Sequence, residues 1–137
     1  MQLTRQADYA VRAVLHLAKL EPGGQASTAH IAAEQKIPPT FLAKIVSQLA
    51  ASGILHAARG AHGGVKLARA AEAISLLDIV EAIDGPLQLN ECVGNPAACP
   101  QAETCVVQSV WCEAQSELSA RLRQTTFGQL AMRATAA

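Results

Sequence analysis

Aromatic side chains are scarce: one Trp, one Tyr and two Phe in 137 residues. With Ala abundant, that shortage points away from a β-sandwich and toward helices packed through small side chains. Long apolar runs are missing as well, and no stretch approaches the roughly 18 residues of a membrane span. The N-terminal residues Met1-Gln2-Leu3-Thr4-Arg5 do not make the apolar core of a signal peptide, so a cytoplasmic protein with no membrane partner is expected. No Ser/His/Asp set, paired carboxylates or phosphate loop is visible, and the histidines (His16, His30, His56, His62) are scattered. An enzyme is therefore not expected. Net charge is also absent, with 11 Lys/Arg against 11 Asp/Glu.

What is present is unevenly placed. Residues 1–70 hold eight Lys/Arg and three acids, a balance of +5; residues 71–137 hold three and eight, a balance of −5. Two solvated faces of one domain would give the same tally, but the asymmetry also suits a polyanion partner for the first half. Half of the residues are hydrophobic, enough to bury one core and carry one helical extension.

Along the chain, Thr4 is placed to cap a helix over about 5–20, whose apolar stripe includes Ala7, Ala10, Val11, Val14, Leu15, Leu17 and Ala18. Pro22-Gly23-Gly24 ends it. Ser27 and Thr28 are N-cap candidates for a short helix over 29–35, burying Ile31 and Ala32. Lys36-Ile37 makes a tight turn, and Pro38-Pro39 opens a third helix over 39–52, with Phe41, Leu42, Ile45, Val46 and Leu49 predicted to face inward. Two helices joined by so short a turn form a helix-turn-helix, whose second helix lies in the major groove. Thr28, Pro39, Thr40, Ala43 and Lys44 are its candidate DNA-contacting residues.

Gly53 stops the third helix. Residues 54–58 and 65–68 read as the strands of a β-hairpin around Arg59-Gly60-Ala61-His62-Gly63-Gly64, and a hairpin directly after a helix-turn-helix is a wing. Gly60, Gly63 and Gly64 let its tip turn tightly and bring backbone N–H groups near a phosphate, while Arg59 can clamp the backbone or enter a minor groove. His62 at the tip reads as a solvated or phosphate-contacting side chain. A fourth helix spans 74–84 and ends at Gly85-Pro86. After an irregular segment, helical spacing returns from about 104 to 123, with Val106, Val107, Val110, Trp111, Ala114, Leu118 and Leu122 near one face. This helix has no remaining partner in so small a domain, so a second copy of the chain is its expected burial surface. The predicted division is a winged helix-turn-helix domain over 1–85, a cysteine loop over 86–105, and a dimerisation helix with a C-terminal tail over 106–137.

The irregular segment carries Cys92, Cys99 and Cys105, and Cys112 follows seven residues later. A structural disulfide is disfavoured in the reducing cytoplasm, and the spacing is wider than a zinc knuckle. A zinc site, a regulatory thiol switch and an iron–sulfur site all stay open. Cysteine thiolates are the usual iron–sulfur ligands, and an irregular loop can wrap its sulfurs round a cluster where a helix cannot.

Several stretches together resemble one family, the winged-helix transcriptional regulators that include IscR, NsrR and CymR. They are Leu3-Thr4 with Asp8-Tyr9-Ala10-Val11-Arg12; Phe41-Leu42, Ile45, Gln48-Leu49 and Gly53; the wing Arg59-Gly60, Gly63-Gly64 and Leu67-Ala68; and Ile79, Glu81-Ala82-Ile83 and Gly85. The match runs through nearly the whole chain in one register. It implies a mainly α winged-helix fold with a long dimerisation helix, and a homodimeric repressor on an imperfectly palindromic double-stranded operator. It also implies an iron–sulfur cluster, [2Fe-2S] or [4Fe-4S], on Cys92, Cys99 and Cys105 that senses nitric oxide, redox state or cluster supply. The cysteine spacings are six and then five residues, where the best-known members have five and five. The family's alternative fourth ligands are a His three residues after the last Cys, here Gln108, and an Asp in the partner subunit's first helix, here Asp8. Cys112 is a third candidate. Outside the family's pattern, Asp8 would simply pair with Arg12 one turn on, and Cys112 would be a small hydrophobe buried at the dimer interface. Other family members lack the cluster, which keeps an iron-free regulator controlled by cysteine oxidation or a partner protein as the alternative. A redox protein or cluster carrier stands further off.

Overall fold

The computed structural model describes residues 2–136 except 62, 91, 92, 94, 96, 98–100, 102 and 103. Its central element is α1 (Arg5–Ala18), which meets every other helix of the core. The Thr4 hydroxyl caps it, accepting the Ala7 N–H at 3.1 Å. Ala7, Ala10, Ala13, Val14 and Leu17 recur at helical spacing and are all buried. Small alanines on that stripe let the neighbouring helices approach closely.

Helix α2 (Thr28–Gln35) starts at Ser27, whose hydroxyl accepts the His30 N–H at 3.1 Å. It ends at Lys36, a non-glycine residue at φ 54° that returns its N–H to the Ala32 carbonyl. That left-handed residue turns the chain so that Ile37 enters the core and Pro38 opens α3 (Pro39–Ala51). Leu42, Ile45, Val46 and Leu49 of α3 are buried as expected. Phe41 is not: it is 45% exposed. It lies about 100° round the helix from Leu42, at the margin of the stripe, and its ring meets that of Tyr9 edge-to-face with centroids 6.1 Å apart.

The wing strands are β2 (Leu55–Ala58) and β3 (Gly64–Leu67), antiparallel with His56 opposite Lys66. A third strand, β1 (Gln25–Ala26), pairs with the other edge of β3, so the sheet order is β1-β3-β2. Two residues are too short for a period-two pattern to show in sequence. The wing is thereby stitched to the entrance of α2.

A short 3-10 turn at Ala71–Ala73 leads to α4 (Leu76–Asp84). This helix begins two residues later than its apolar spacing suggests, because Ser75 and Asp78 close a capping box: Asp78 N–H donates to the Ser75 hydroxyl at 3.1 Å, and Ser75 N–H to the Asp78 carboxylate at 2.9 Å. Long helix α5 (Val106–Gln124) docks only its C-terminal half, where Leu118 and Leu122 cover Leu77, Val80 and Leu87.

The expected C-terminal tail is instead a helix. Helix α6 (Phe127–Ala136) folds back onto α1 and the 3-10 turn. Its first residue, Phe127, is among the largest fully buried side chains, alongside Ile31, Leu42, Ile45, Leu49, Ile54, Ile74 and Ile79. Backbone pairing fixes the return: Leu76 N–H donates to the Thr125 carbonyl and Phe127 N–H to the Ile74 carbonyl, both at 2.9 Å. The winged-helix core therefore includes residues from both ends of the chain. Burying one phenyl ring of this kind is worth about 1.5–3 kcal/mol.

Candidate nucleic-acid interface and cysteine segment

Helices α2 and α3 and the wing form one concave surface. A groove of about 660 Å³ runs between them, with Thr28, Ala43 and Ser47 on the helical side and Arg59, Gly60, Gly63 and Gly64 on the wing side. Pro39, Thr28 and Ala43 also border a neighbouring, mostly apolar cleft between α2 and α3. Thr40 and Lys44 are exposed and one helical turn apart, so they share a face of α3. Of the ten residues expected to meet DNA, Thr28, Ala43, Arg59, Gly60, Gly63 and Gly64 line the groove and Pro39 the neighbouring cleft; Thr40 and Lys44 are exposed on α3, and His62 lies outside the described residues. Ser27 and Ser47 were missed and line the same groove. Ser47 had a legible signal, since it stands one turn beyond Ala43 on the polar side of α3.

The wing glycines have specific reasons. Gly60 sits at φ 104°, and its carbonyl accepts the Gly63 N–H at 3.0 Å. A Cβ on Gly63 would fall 2.3 Å from the Ala58 carbonyl oxygen, so any larger residue would push the two wing arms apart. Between residues 27 and 67 there are four Lys/Arg (Lys36, Lys44, Arg59, Lys66) and one acid, Glu34. Lys44, Arg59 and Lys66 are exposed on α3 and the wing. Such a surface attracts phosphate backbone.

Behind it, between α1 and α2, His16 stacks edge-on against His30 at 5.5 Å and bonds Gln35 through Nδ1 at 3.2 Å. Its Nε2 is sealed from solvent without a partner among the described residues. Burial holds its pKa below the usual 6.5; nearby His30 and Lys19 push the same way, and Glu34 opposes them.

The cysteine segment is fastened at both ends. At its start, Leu87 is buried on α4 and the Leu89 N–H donates to Gln115 of α5 at 2.8 Å. At its end, Cys105 is the half-buried N-cap residue of α5, and its thiol makes no capping bond. Cys92 and Cys99 lie outside the described residues. Cys112, two turns along α5, is exposed in the single chain. Gln108 is half-buried one turn into α5. Asp8 pairs with Arg12 at 2.9 Å, both about half exposed, in the first turns of α1. That end of α1 is tied to the end of α4, because the Thr4 hydroxyl donates to the Asp84 carboxylate at 2.5 Å. Among the described residues no cluster of three or more His, Cys, Asp or Glu is assembled. By residue type alone, three cysteines within fourteen residues, with Cys112 seven residues on, fit the sulfur-rich donor set of an iron–sulfur cluster.

A helix-turn-helix beside a glycine-tipped wing, sharing one groove and carrying exposed Lys44, Arg59 and Lys66, defines a winged-helix DNA-binding transcriptional regulator. Residues 3–133 match the Rrf2 family, described as an iron-dependent transcriptional regulator, and the chain belongs to that family. It is 34% identical over 131 residues to a helix-turn-helix-type transcriptional regulator of Mycobacterium tuberculosis, spanning 96% of this chain and 81% of that protein. It is 28% identical over 130 residues to the transcriptional regulator IscR of Escherichia coli (95% of this chain, 80% of IscR). Among solved structures, CymR, the global cysteine regulator of B. subtilis, superposes with a TM-score of 0.81 at 25% identity, covering 97% of this chain and 98% of CymR. Among the described residues no helix is long and apolar enough to cross a membrane.

Proposed function

We propose that this regulator acts as a homodimer on an imperfectly palindromic operator, and that an iron–sulfur cluster on Cys92, Cys99 and Cys105 sets its affinity. The dimer part rests on one observation. Val106, Val107, Val110 and Trp111 form two adjacent stripes on the N-terminal half of α5, and all are exposed, Val106 at 82%. A patch of that kind calls for a partner surface, and a self-complementary one gives a two-fold dimer. Two recognition helices would then meet half-sites about one DNA turn apart.

The cluster part rests on the anchoring of the cysteine segment and on the family. The segment begins at α4 and ends at the exposed part of α5, so a change in its conformation bears on the dimer helix and, through the Thr4–Asp84 hydrogen bond, on α1. When bound, the group would supply a redox- and nitric-oxide-sensitive assembly of iron and sulfide. The thiolates of Cys92, Cys99 and Cys105 would hold it, Asp8 of the partner subunit or Cys112 would complete the ligand set, and α1, packed on α3, would carry the constraint to the reading helix. Release of the loop would shift the population between dimers that do and do not fit the operator.

The test is anaerobic purification with visible absorption and counts of iron and acid-labile sulfide. A coloured protein with stoichiometric iron and sulfide, losing its colour and changing its operator affinity on Cys99→Ala, is the expected result. Equal affinity with and without iron sinks the switch. The exposed thiol of Cys112 and the likeness to a cysteine regulator favour a second reading, control by cysteine oxidation; it requires a colourless protein whose DNA binding responds to peroxide and is restored by dithiothreitol.

A further inference from the structure

We infer that the half-site is recognised largely through thymine methyl groups seated at the cleft between α2 and α3, flanked by a guanine read by Lys44. The inference rests on α3 being the recognition helix. Its starting point is what the exposed part of α3 does not contain. Over residues 39–47 there is no Asn, Gln, Asp, Glu or Arg. Gln48, the nearest amide, is half-buried and hydrogen-bonded to Gln6.

Base edges in the major groove are distinguished by their donors, acceptors and methyl groups. Adenine is read by Asn or Gln, cytosine by Asp or Glu, guanine by Arg or Lys, and the thymine C5-methyl by apolar side chains. The recognition turns of this chain therefore lack the usual adenine and cytosine readers. They keep one long cation, Lys44, the hydroxyls of Thr40 and Ser47, and a patch of carbon.

That patch has a shape. Thr28, Ala29, Pro39 and Ala43 rim a cleft of about 410 Å³ floored by Ile37 and Leu42. The four rim residues are exposed. Thr28 and Ala43 also line the wing groove, so the cleft adjoins the surface that meets DNA and lies between α2 and the first turns of α3. A small apolar group is what such a cleft can take from a duplex, and the thymine methyl is the apolar group that B-DNA displays in its major groove. Lys44, next to Ala43 and one turn from Thr40, reaches the adjoining base pair.

The test begins with selection of binding sites for the anaerobically isolated full-length protein from a random duplex library. The selected site is then synthesised with deoxyuridine replacing each thymidine in turn, which deletes one methyl group and leaves every hydrogen bond intact. Affinity is read by fluorescence anisotropy. At one or two positions per half-site deoxyuridine is expected to weaken binding about 4-fold, the worth of one buried methyl group. In Ala43→Gly, checked for folding by circular dichroism, that penalty should shrink toward 1-fold, and Lys44→Ala should relax the neighbouring guanine preference. Uniform tolerance of deoxyuridine, within about 1.5-fold at every position, overturns the inference while leaving the DNA reader intact. Failure to enrich any sequence overturns the recognition-helix assignment, and this inference with it.

Discussion

The DNA-reading core and helix α5 make opposite use of their apolar side chains. In the core, α1 and α3 close on Ile31, Ile45, Leu49 and Phe127 until nothing of those residues meets solvent. Along the whole of α5 no residue is buried, although its first two turns carry three valines and a tryptophan. A side chain's hydropathy does not decide its burial; the presence of a complementary surface does. The core supplies its own surfaces through short connections, and α6 brings Phe127 back to it. On the N-terminal half of α5, Val106, Val107, Val110 and Trp111 stay exposed, so its apolar stripe is left open.

The comparison breaks most visibly at Phe127. Phe127→Ala leaves a cavity in the middle of the core and should cost about 3–5 kcal/mol, read as a fall in the urea midpoint. If the C-terminal residues were a dispensable tail, the loss would stay below about 0.5 kcal/mol. At α5 the outcome should reverse. Val110→Asp should weaken self-association by about 2–4 kcal/mol in analytical ultracentrifugation, with little change in the monomer's unfolding; an unshifted sedimentation profile rejects α5 as the dimer surface.

Thr4→Val removes both the α1 cap and the tie to Asp84. A loss of about 1–2 kcal/mol in chemical denaturation is expected, together with weaker coupling between the cysteine segment and operator affinity. Smaller again is the pH effect of His16. Its folded pKa lies below the ordinary 6.5, so the unfolded chain takes up the proton first as pH falls. Stability due to neutral His16 is therefore complete above about pH 6.5 and declines below it until the folded pKa is passed. Urea midpoints at pH 7.5 and about 5.5 should differ less in His16→Gln than in the parent. Equal slopes in both would remove His16 as the cause. The smallest effect is expected at Asp8: Asp8→Asn breaks an exposed pair with Arg12 and should alter stability by no more than about 0.5 kcal/mol. The same variant should nevertheless change the visible spectrum if Asp8 of the partner subunit is a ligand.

How much of this was legible beforehand follows from range. Caps and breakers are local: Thr4, Ser27, Pro39, Gly53 and Gly85 bound their helices where their chemistry places them. The wing was legible because glycines bracket two short strands. Of the candidate site, Thr28, Ala43 and the wing residues come together at one groove, whereas the joint placement of the cysteines involves Cys92 and Cys99, outside the described residues. Phe41 is exposed because its position at the margin of the apolar stripe leaves its burial to a neighbour, and its edge-to-face contact with Tyr9 leaves it 45% exposed. Strand β1 was missed because two residues are too few to show a period-two pattern; helix α6 does carry helical spacing at Phe127, Leu130 and Ala131, but spacing alone does not name the distant surface it packs against.

The sequence by itself determined the helix-turn-helix, the glycine-tipped wing, the basic first half of the chain and the run of cysteines. All of these are written in contiguous patterns of apolar spacing, caps and turn residues, whose physics acts within a few residues. Only the tertiary structure decided that the C-terminal end closes the N-terminal core, that β1 stitches the wing to α2, and that the first half of α5 keeps its valines in solvent. Those outcomes depend on which surfaces meet across the chain, and the free energy of burying a side chain belongs to the pair of surfaces that close over it.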